Sequence, residues 1–116
     1  MRIISGKYKG KKILLPKDKL TRPLKDLTKE SIFNIIKHSS LLDISLENSN
    51  VLDLFSGIGS FGLECLSRGA TRVTFLESYQ EVLTVLKKKY RKLKTTKLLK
   101  HNRKRYFFRK YPKNIK

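Results

Sequence analysis

The sequence predicts an α/β fold: an N-terminal β-hairpin and helix, followed by the first half of a doubly wound parallel sheet. Three observations carry this prediction. Val51, Leu52, Leu54 and Phe55 make one short run of bulky residues, and Arg72-Val73-Thr74-Phe75-Leu76 makes another. Such runs suit parallel strands covered on both faces. Between them lies Ser56-Gly57-Ile58-Gly59-Ser60-Phe61-Gly62, a glycine turn leading into apolar residues at helical spacing. Glu77 then stands at the tip of the second strand, twenty positions after Gly57.

Taken in order, Arg2-Ile3-Ile4 and Lys12-Ile13-Leu14-Leu15 read as two short strands, and Ser5 to Gly10, with two glycines, as the hairpin connection. Lys7, Lys9, Lys11 and Lys12 lie on or beside it. They are placed either to neutralise phosphates without reading sequence or to form a solvated lysine surface. Pro16 ends the second strand. Residues 17–25 form a polar loop in which Pro23 holds Arg22 in extended geometry. Arg22 is either an ordinary loop arginine or a group that grips phosphate or lines a pocket. Asp26 reads as the N-cap of a helix whose Leu27, Ile32, Ile35 and Ile36 share one face, and His38 ends it. Residues 39–50 form a linker with a small apolar cluster at Leu41, Leu42, Ile44 and Leu46.

The central unit follows. After the first strand and the glycine turn, Phe61, Leu63, Cys65 and Leu66 mark a short helix, and Gly69 is placed as its C-terminal glycine. After Glu77, residues Val82, Leu83, Val85, Leu86, Tyr90 and Leu93 mark an amphipathic helix with lysines on the opposite face.

Strand, glycine loop, helix, strand and acid together form a nucleotide-binding unit. Gly57, Gly59 and Gly62 fit G-x-G-x-x-G, a weak pattern alone that this context strengthens. A carboxylate at Glu77 is spaced to accept hydrogen bonds from both ribose hydroxyls. Asp53 discriminates between nucleotides. It lies inside the apolar strand, where a carboxylate is costly without a partner. A dinucleotide brings a pyrophosphate that a nearby acid repels, whereas S-adenosylmethionine has no phosphate and carries an ammonium group. Asp53, Phe55, Ser56, Gly57, Gly59 and Glu77 are therefore the candidate cofactor residues, and S-adenosylmethionine is favoured over NAD. A local hydrogen bond from the loop amides to Asp53 is the other reading of that residue, and the two are compatible.

The run Asp53 to Ala70 closely resembles the cofactor motif of the bacterial small-subunit (16S) ribosomal RNA guanine-N2 methyltransferases of the D type. Met1-Arg2-Ile3-Ile4-Ser5-Gly6-Lys7-Tyr8-Lys9-Gly10 resembles that family's opening. Thr21-Arg22-Pro23, with Asp26 and Glu30-Ser31-Ile32-Phe33-Asn34, resembles its second block. The resemblance covers residues 1 to about 86. It implies a Rossmann-like class I methyltransferase sheet, here incomplete, with S-adenosylmethionine as cofactor and ribosomal RNA in the small subunit as partner. It also tips Lys7, Lys9, Lys11, Lys12 and Arg22 toward RNA contact. The family usually carries arginines where Leu27 and Lys29 stand here.

The resemblance also implies a catalytic loop with an Asn or Asp, two prolines and an aromatic residue, which holds the exocyclic amine of a flipped guanine. The prolines here are Pro16, Pro23 and Pro112, and no acid follows Glu81, so no catalytic residue is assigned. The chain reads as truncated or frameshifted after about residue 86, or as a natural short form with a basic arm. Its expected organisation is an RNA-binding hairpin and helix over 1–50, an S-adenosylmethionine-binding βαβα unit over 51–94, and a disordered basic tail over 95–116.

Composition agrees with a polyanion partner. The chain of 116 residues has a net charge of +19, from 28 Lys and Arg against 9 Asp and Glu. Fifteen of those bases and none of the acids lie in 87–116, so the imbalance is concentrated there. Aromatics interleave with the cations at Tyr106, Phe107, Phe108 and Tyr111, a pattern suited to stacking on bases. A non-catalytic basic RNA-binding protein is thus the rival reading. No apolar run reaches membrane-spanning length, and the N-terminus lacks an apolar signal region. Cys65 is the only cysteine, which fits a reducing cytoplasm, and the two histidines lack metal-ligand spacing. Neither a membrane nor a metal is expected as a partner.

Overall fold

The computed structural model describes residues 1–17, 22, 24–92, 97–101 and 105–109. Its elements are α1 (Asp26–His38), β1 (Asn50–Leu54), α2 (Ser60–Ser67), β2 (Arg72–Glu77), α3 (Gln80–Lys92), β3 (Lys97–His101) and β4 (Arg105–Arg109). β1 and β2 pair in parallel, Asn50 opposite Arg72 through Leu54 opposite Leu76, with α2 as the crossover. The sheet order is β1-β2-β4-β3.

A single core joins the halves of the chain. It gathers Val73 and Phe75 of β2, Leu63, Cys65 and Leu66 of α2, Val82, Leu83 and Leu86 of α3, Ile58 of the glycine loop, and Ile3, Ile13 and Phe33 from the N-terminal third. α2 ends as its sequence foretells. Gly69 has φ +106, its N–H reaches the Leu66 carbonyl at 3.4 Å, and Ala70 N–H donates to the Cys65 carbonyl at 3.0 Å. This is a Schellman ending, which L-residues with a side chain resist.

Several expectations change in detail. The hairpin forms with a single bridge, Arg2 opposite Lys12, and three flanking backbone bonds, from Ile3, Gly10 and Ile13 N–H. Beyond it, the Ile4 and Ser5 amides are given to the Glu64 carboxylate. The N-cap of α1 is Lys25, and Asp26 is the first helical residue without a capping bond. α1 buries Lys29 and Phe33, while Leu27 and Ile35 face out. The packing face is shifted because the Lys29 ammonium has partners inside: it donates to the Arg2 carbonyl at 2.7 Å and lies 3.5 Å from Glu64. In the linker, Leu41, Leu42 and Ile44 are exposed, and Leu46 packs against the core.

β1 is not covered on both faces. Val51 and Asp53 turn inward, but Leu52 is 57% exposed, Leu54 52% and Phe55 88%. Leu52 and Leu54 share the face opposite Asp53, and that face is left exposed; β1 is also the last strand in the sheet order, so one of its edges is unpaired among the described residues. The region expected as a disordered tail contributes two strands. β4 pairs antiparallel with β2, Phe75 opposite Phe108, and β3 pairs with β4. The free edge of β2 offers unpaired backbone groups, and Tyr106-Phe107-Phe108 is strand-prone. Residues 93–96, 102–104 and 110–116 lie outside the described residues.

Candidate functional site

The candidate site lies where β1 and β2 end side by side. Past Leu54 the backbone takes positive φ at Phe55 (+56), Gly57 (+52) and Gly59 (+72), the last acting as N-cap of α2. Such angles are easy for glycine and strained for Phe55. The loop is tied to β2 by Ser56 N–H donating to the Leu76 carbonyl at 3.0 Å. The three glycines do different work. A Cβ on Gly59 would meet Leu86 Cδ1 at 2.5 Å, and one on Gly62 would meet Val73 Cγ1 at 2.8 Å. These two let α2 and the loop press onto the core. A Cβ on Gly57 would find nothing within 4 Å, so Gly57 is the glycine whose backbone stands open to a ligand.

Two carboxylates converge on this loop. Asp53 Oδ2 accepts Gly62 N–H at 3.0 Å. Burial pushes the Asp53 carboxyl up from 3.8 to about 6; the Gly62 amide opposes that rise and the negative charge of Glu77 adds to it. Glu77 Oε2 accepts Gly57 N–H at 2.8 Å, and Oε1 accepts Ser78 N–H at 2.7 Å and Tyr79 N–H at 2.9 Å. A carboxylate offers about four acceptor positions, so three of those on Glu77 are in use and roughly one remains. Ser56 Oγ is buried with no hydrogen-bond partner among the described residues. A buried hydroxyl of this kind is what a bound polar ligand satisfies.

The structure thus brings Asp53, Ser56, Gly57, Gly59 and Glu77 together, with Phe55 projecting outward beside them. The lysines lie elsewhere. Lys7, Lys9, Lys11 and Lys12 are exposed on the N-terminal loop, which docks on the C-terminal half of α2. Lys11 Nζ is 4.9 Å and Lys7 Nζ 5.9 Å from the centre of the Tyr8 ring. One length of α2, roughly 10 Å, separates this loop from the glycine turn. Arg22 is exposed, between neighbours outside the described residues.

Sequence reasoning missed the group that joins the two regions. Lys29 and Glu64 are both fully buried. Arg68 Nε donates to Glu64 Oε1 at 3.0 Å, and its guanidinium lies 4.5 Å from the Phe33 ring, which stacks on Phe61 with centroids 4.9 Å apart. The available signal was a lone acid at Glu64 within an otherwise apolar helix, since acids are almost never fully buried unless paired. Cys65 beside it is buried, its thiol pushed up to about 12 first by burial and then by Asp53 and Glu64, so it is inert. Among the described residues, no cluster of His, Cys, Asp and Glu is arranged to hold a metal ion. No described helix is long and apolar enough to cross a membrane.

Comparison with known proteins finds a family model that spans the whole chain and individual relatives that match about four-fifths of it. The family model described as "Conserved hypothetical protein 95" matches residues 1–116. The chain is 39% identical over 94 residues to "Ribosomal RNA small subunit methyltransferase D" of Haemophilus influenzae, covering 81% of this chain and 46% of that protein. It is 35% identical over 94 residues to the Escherichia coli K12 protein of the same name, covering 81% and 44%. The solved structure "Putative methyltransferase yhhF from Escherichia coli" superposes with a TM-score of 0.67 at 32% identity, covering 81% of this chain and 47% of that one. The chain spans about half the length of the curated relatives it matches.

Proposed function

Since the chain belongs to the conserved hypothetical protein 95 family, which takes in the small-subunit ribosomal RNA methyltransferases D, we propose that it carries the S-adenosylmethionine-binding half and an RNA-docking element of such an enzyme. The observation that carries this reading is the joining of Gly57 to Glu77 at the ends of two adjacent parallel strands, with Asp53 beneath. Ligands in open α/β sheets bind outside the carboxyl ends of the strands.

The residues fit the cofactor. Gly57 offers an open backbone, Ser56 Oγ needs a partner, and Glu77 keeps roughly one acceptor position for a ribose hydroxyl. Asp53 supplies negative charge for the methionine ammonium. When bound, S-adenosylmethionine supplies an electrophilic methyl group on a sulfonium. The substrate implied by the family is a guanine N2 of 16S ribosomal RNA, approached by Lys7, Lys9, Lys11, Lys12 and Arg22. The proposal assigns no catalytic residue within these 116 residues, whose prolines are Pro16, Pro23 and Pro112.

The net charge of +19 favours a second reading, a non-catalytic basic RNA-binding protein. Calorimetry separates the two. The proposal expects S-adenosylmethionine or its demethylated product to bind more tightly than NAD. RNA binding with neither nucleotide bound would leave the second reading.

A further inference from the structure

We propose that Glu64 is a positioning residue that holds the N-terminal lysine loop in fixed register on α2, and so couples RNA binding to cofactor binding. This rests on the function proposed above for the two loops. Glu64 sits mid-way along α2 and is wholly buried. A carboxylate there is tolerated only if its oxygens are answered. They are answered from two directions. Oε2 accepts Ile4 N–H at 2.8 Å, with Lys29 Nζ at 3.5 Å; Oε1 accepts Ser5 N–H at 2.9 Å and Arg68 Nε at 3.0 Å.

Ser67, almost one turn further along, continues the contact. Its hydroxyl donates to the Ser5 carbonyl and accepts Tyr8 N–H at 2.9 Å, and its carbonyl accepts Lys7 N–H at 2.7 Å. Gly6, at φ +79, passes so close to the Ser67 carbonyl that a Cβ there would fall on it. The amides of Ile4, Ser5, Lys7 and Tyr8 are therefore all given to α2. The loop docks through its main chain, which leaves the side chains of Lys7, Lys9 and Lys11 exposed for a polyanion.

The opposite end of α2 is built into the glycine loop. Gly59 is its N-cap, Leu63 N–H donates to the Gly59 carbonyl at 2.9 Å, and Gly62 N–H donates to Asp53. Glu64 follows two residues later. One short rigid helix thus carries the lysine loop at one end and the glycine loop at the other. A ligand that shifts α2 from either end therefore acts on the loop at the other, because the helix carries both as one body.

The test uses the full chain, a short single-stranded RNA and S-adenosylhomocysteine. Wild type should bind the RNA about fivefold or more tightly when the nucleotide is present, the low end of ordinary coupling. Glu64→Gln keeps the side-chain volume but places an NH2 against an amide N–H. It should bind S-adenosylhomocysteine alone within about twofold of wild type and lose the coupling. Its Ile4 and Ser5 amides should exchange about tenfold faster or more, while those of Val73 and Phe75 keep their protection. Ser67→Ala should lower the coupling partially and serves as the test if Glu64→Gln does not fold. Coupling that survives in both variants overturns the proposal, as does wild type that binds both ligands independently. If wild type binds neither ligand, the proposed function fails instead, and unchanged exchange at Ile4 and Ser5 in Glu64→Gln would then overturn the positioning role as well.

Discussion

Asp53 Oδ2 and Gly62 N are joined by a 3.0 Å hydrogen bond inside the protein, so the acid of β1 and the last glycine of the motif hold each other. The bond does not fully offset burial, since the Asp53 carboxyl titrates near 6 rather than at 3.8. Between those values the folded chain retains a proton that the unfolded chain has released, so stability falls as pH rises through the window and the loss is complete above about 6. The loss is on the order of 3 kcal/mol at most. Asp53→Asn should flatten this slope and raise the melting temperature at neutral pH while weakening S-adenosylmethionine. Melting curves from pH 4 to 7 check it, and an unchanged slope in the variant would exclude Asp53 as its source.

Glu77→Ala removes three backbone acceptor contacts and the proposed ribose partner together. Cofactor affinity should fall by about 1–3 kcal/mol, the scale of a hydrogen bond to a charged group. Titration calorimetry decides, and equal affinity in variant and wild type would remove Glu77 from the site.

The glycines should separate by mechanism. Gly62→Ala forces a methyl onto the Phe75 ring and Val73, an overpacking cost of about 1–3 kcal/mol. Gly57→Ala meets no atom and costs about 1–2 kcal/mol through its positive φ. Denaturant melts read the stability, while cofactor binding should suffer more in Gly57→Ala, because its methyl projects into the open space. The reverse order of binding losses would place the ligand elsewhere.

RNA affinity should fall steeply with salt, by about 0.7–0.9 in log–log slope per phosphate neutralised. Changing Lys7, Lys9, Lys11 and Lys12 to Gln together should reduce the slope if the loop carries the contact. A slope that stays the same would shift the contact to the bases of 87–116, whose replacement by Gln is the complementary measurement.

Lys29→Ala should destabilise the chain by roughly 3–5 kcal/mol, because it leaves Glu64 buried with one ion-pair partner fewer. Chemical denaturation measures this, and a change below about 1 kcal/mol would show that Arg68 and the two amides suffice.

The strand, turn, helix, strand and acid were legible because each follows from local rules: bulky runs, glycines at strained angles, and Gly69 past a helix end. The twenty-residue spacing that set Gly57 and Glu77 near one another needed only the length of one crossover. What stayed hidden was long-range. Periodicity assigned α1 a face of Leu27 and Ile35, yet Lys29 took the inside position because an acid 35 positions away and the Arg2 carbonyl receive its ammonium. The docking of the hairpin was hidden for the same reason: Glu64 receives the Ile4 and Ser5 amides, and no pattern within residues 1–15 reports that. The outward face of β1 was unreadable because the residues of the strand specify burial that no described neighbour provides.

That bare face has a consequence beyond folding energetics. Leu52, Leu54 and Phe55 lie exposed on and just past β1, the strand at one end of the sheet order. A cell's chaperones and proteases act on exposed apolar strand edges of this kind as they act on unfinished polypeptide. Such a surface is open to quality control for as long as it stays uncovered. A single polar substitution at Leu54 would be felt first in the protein's lifetime and abundance.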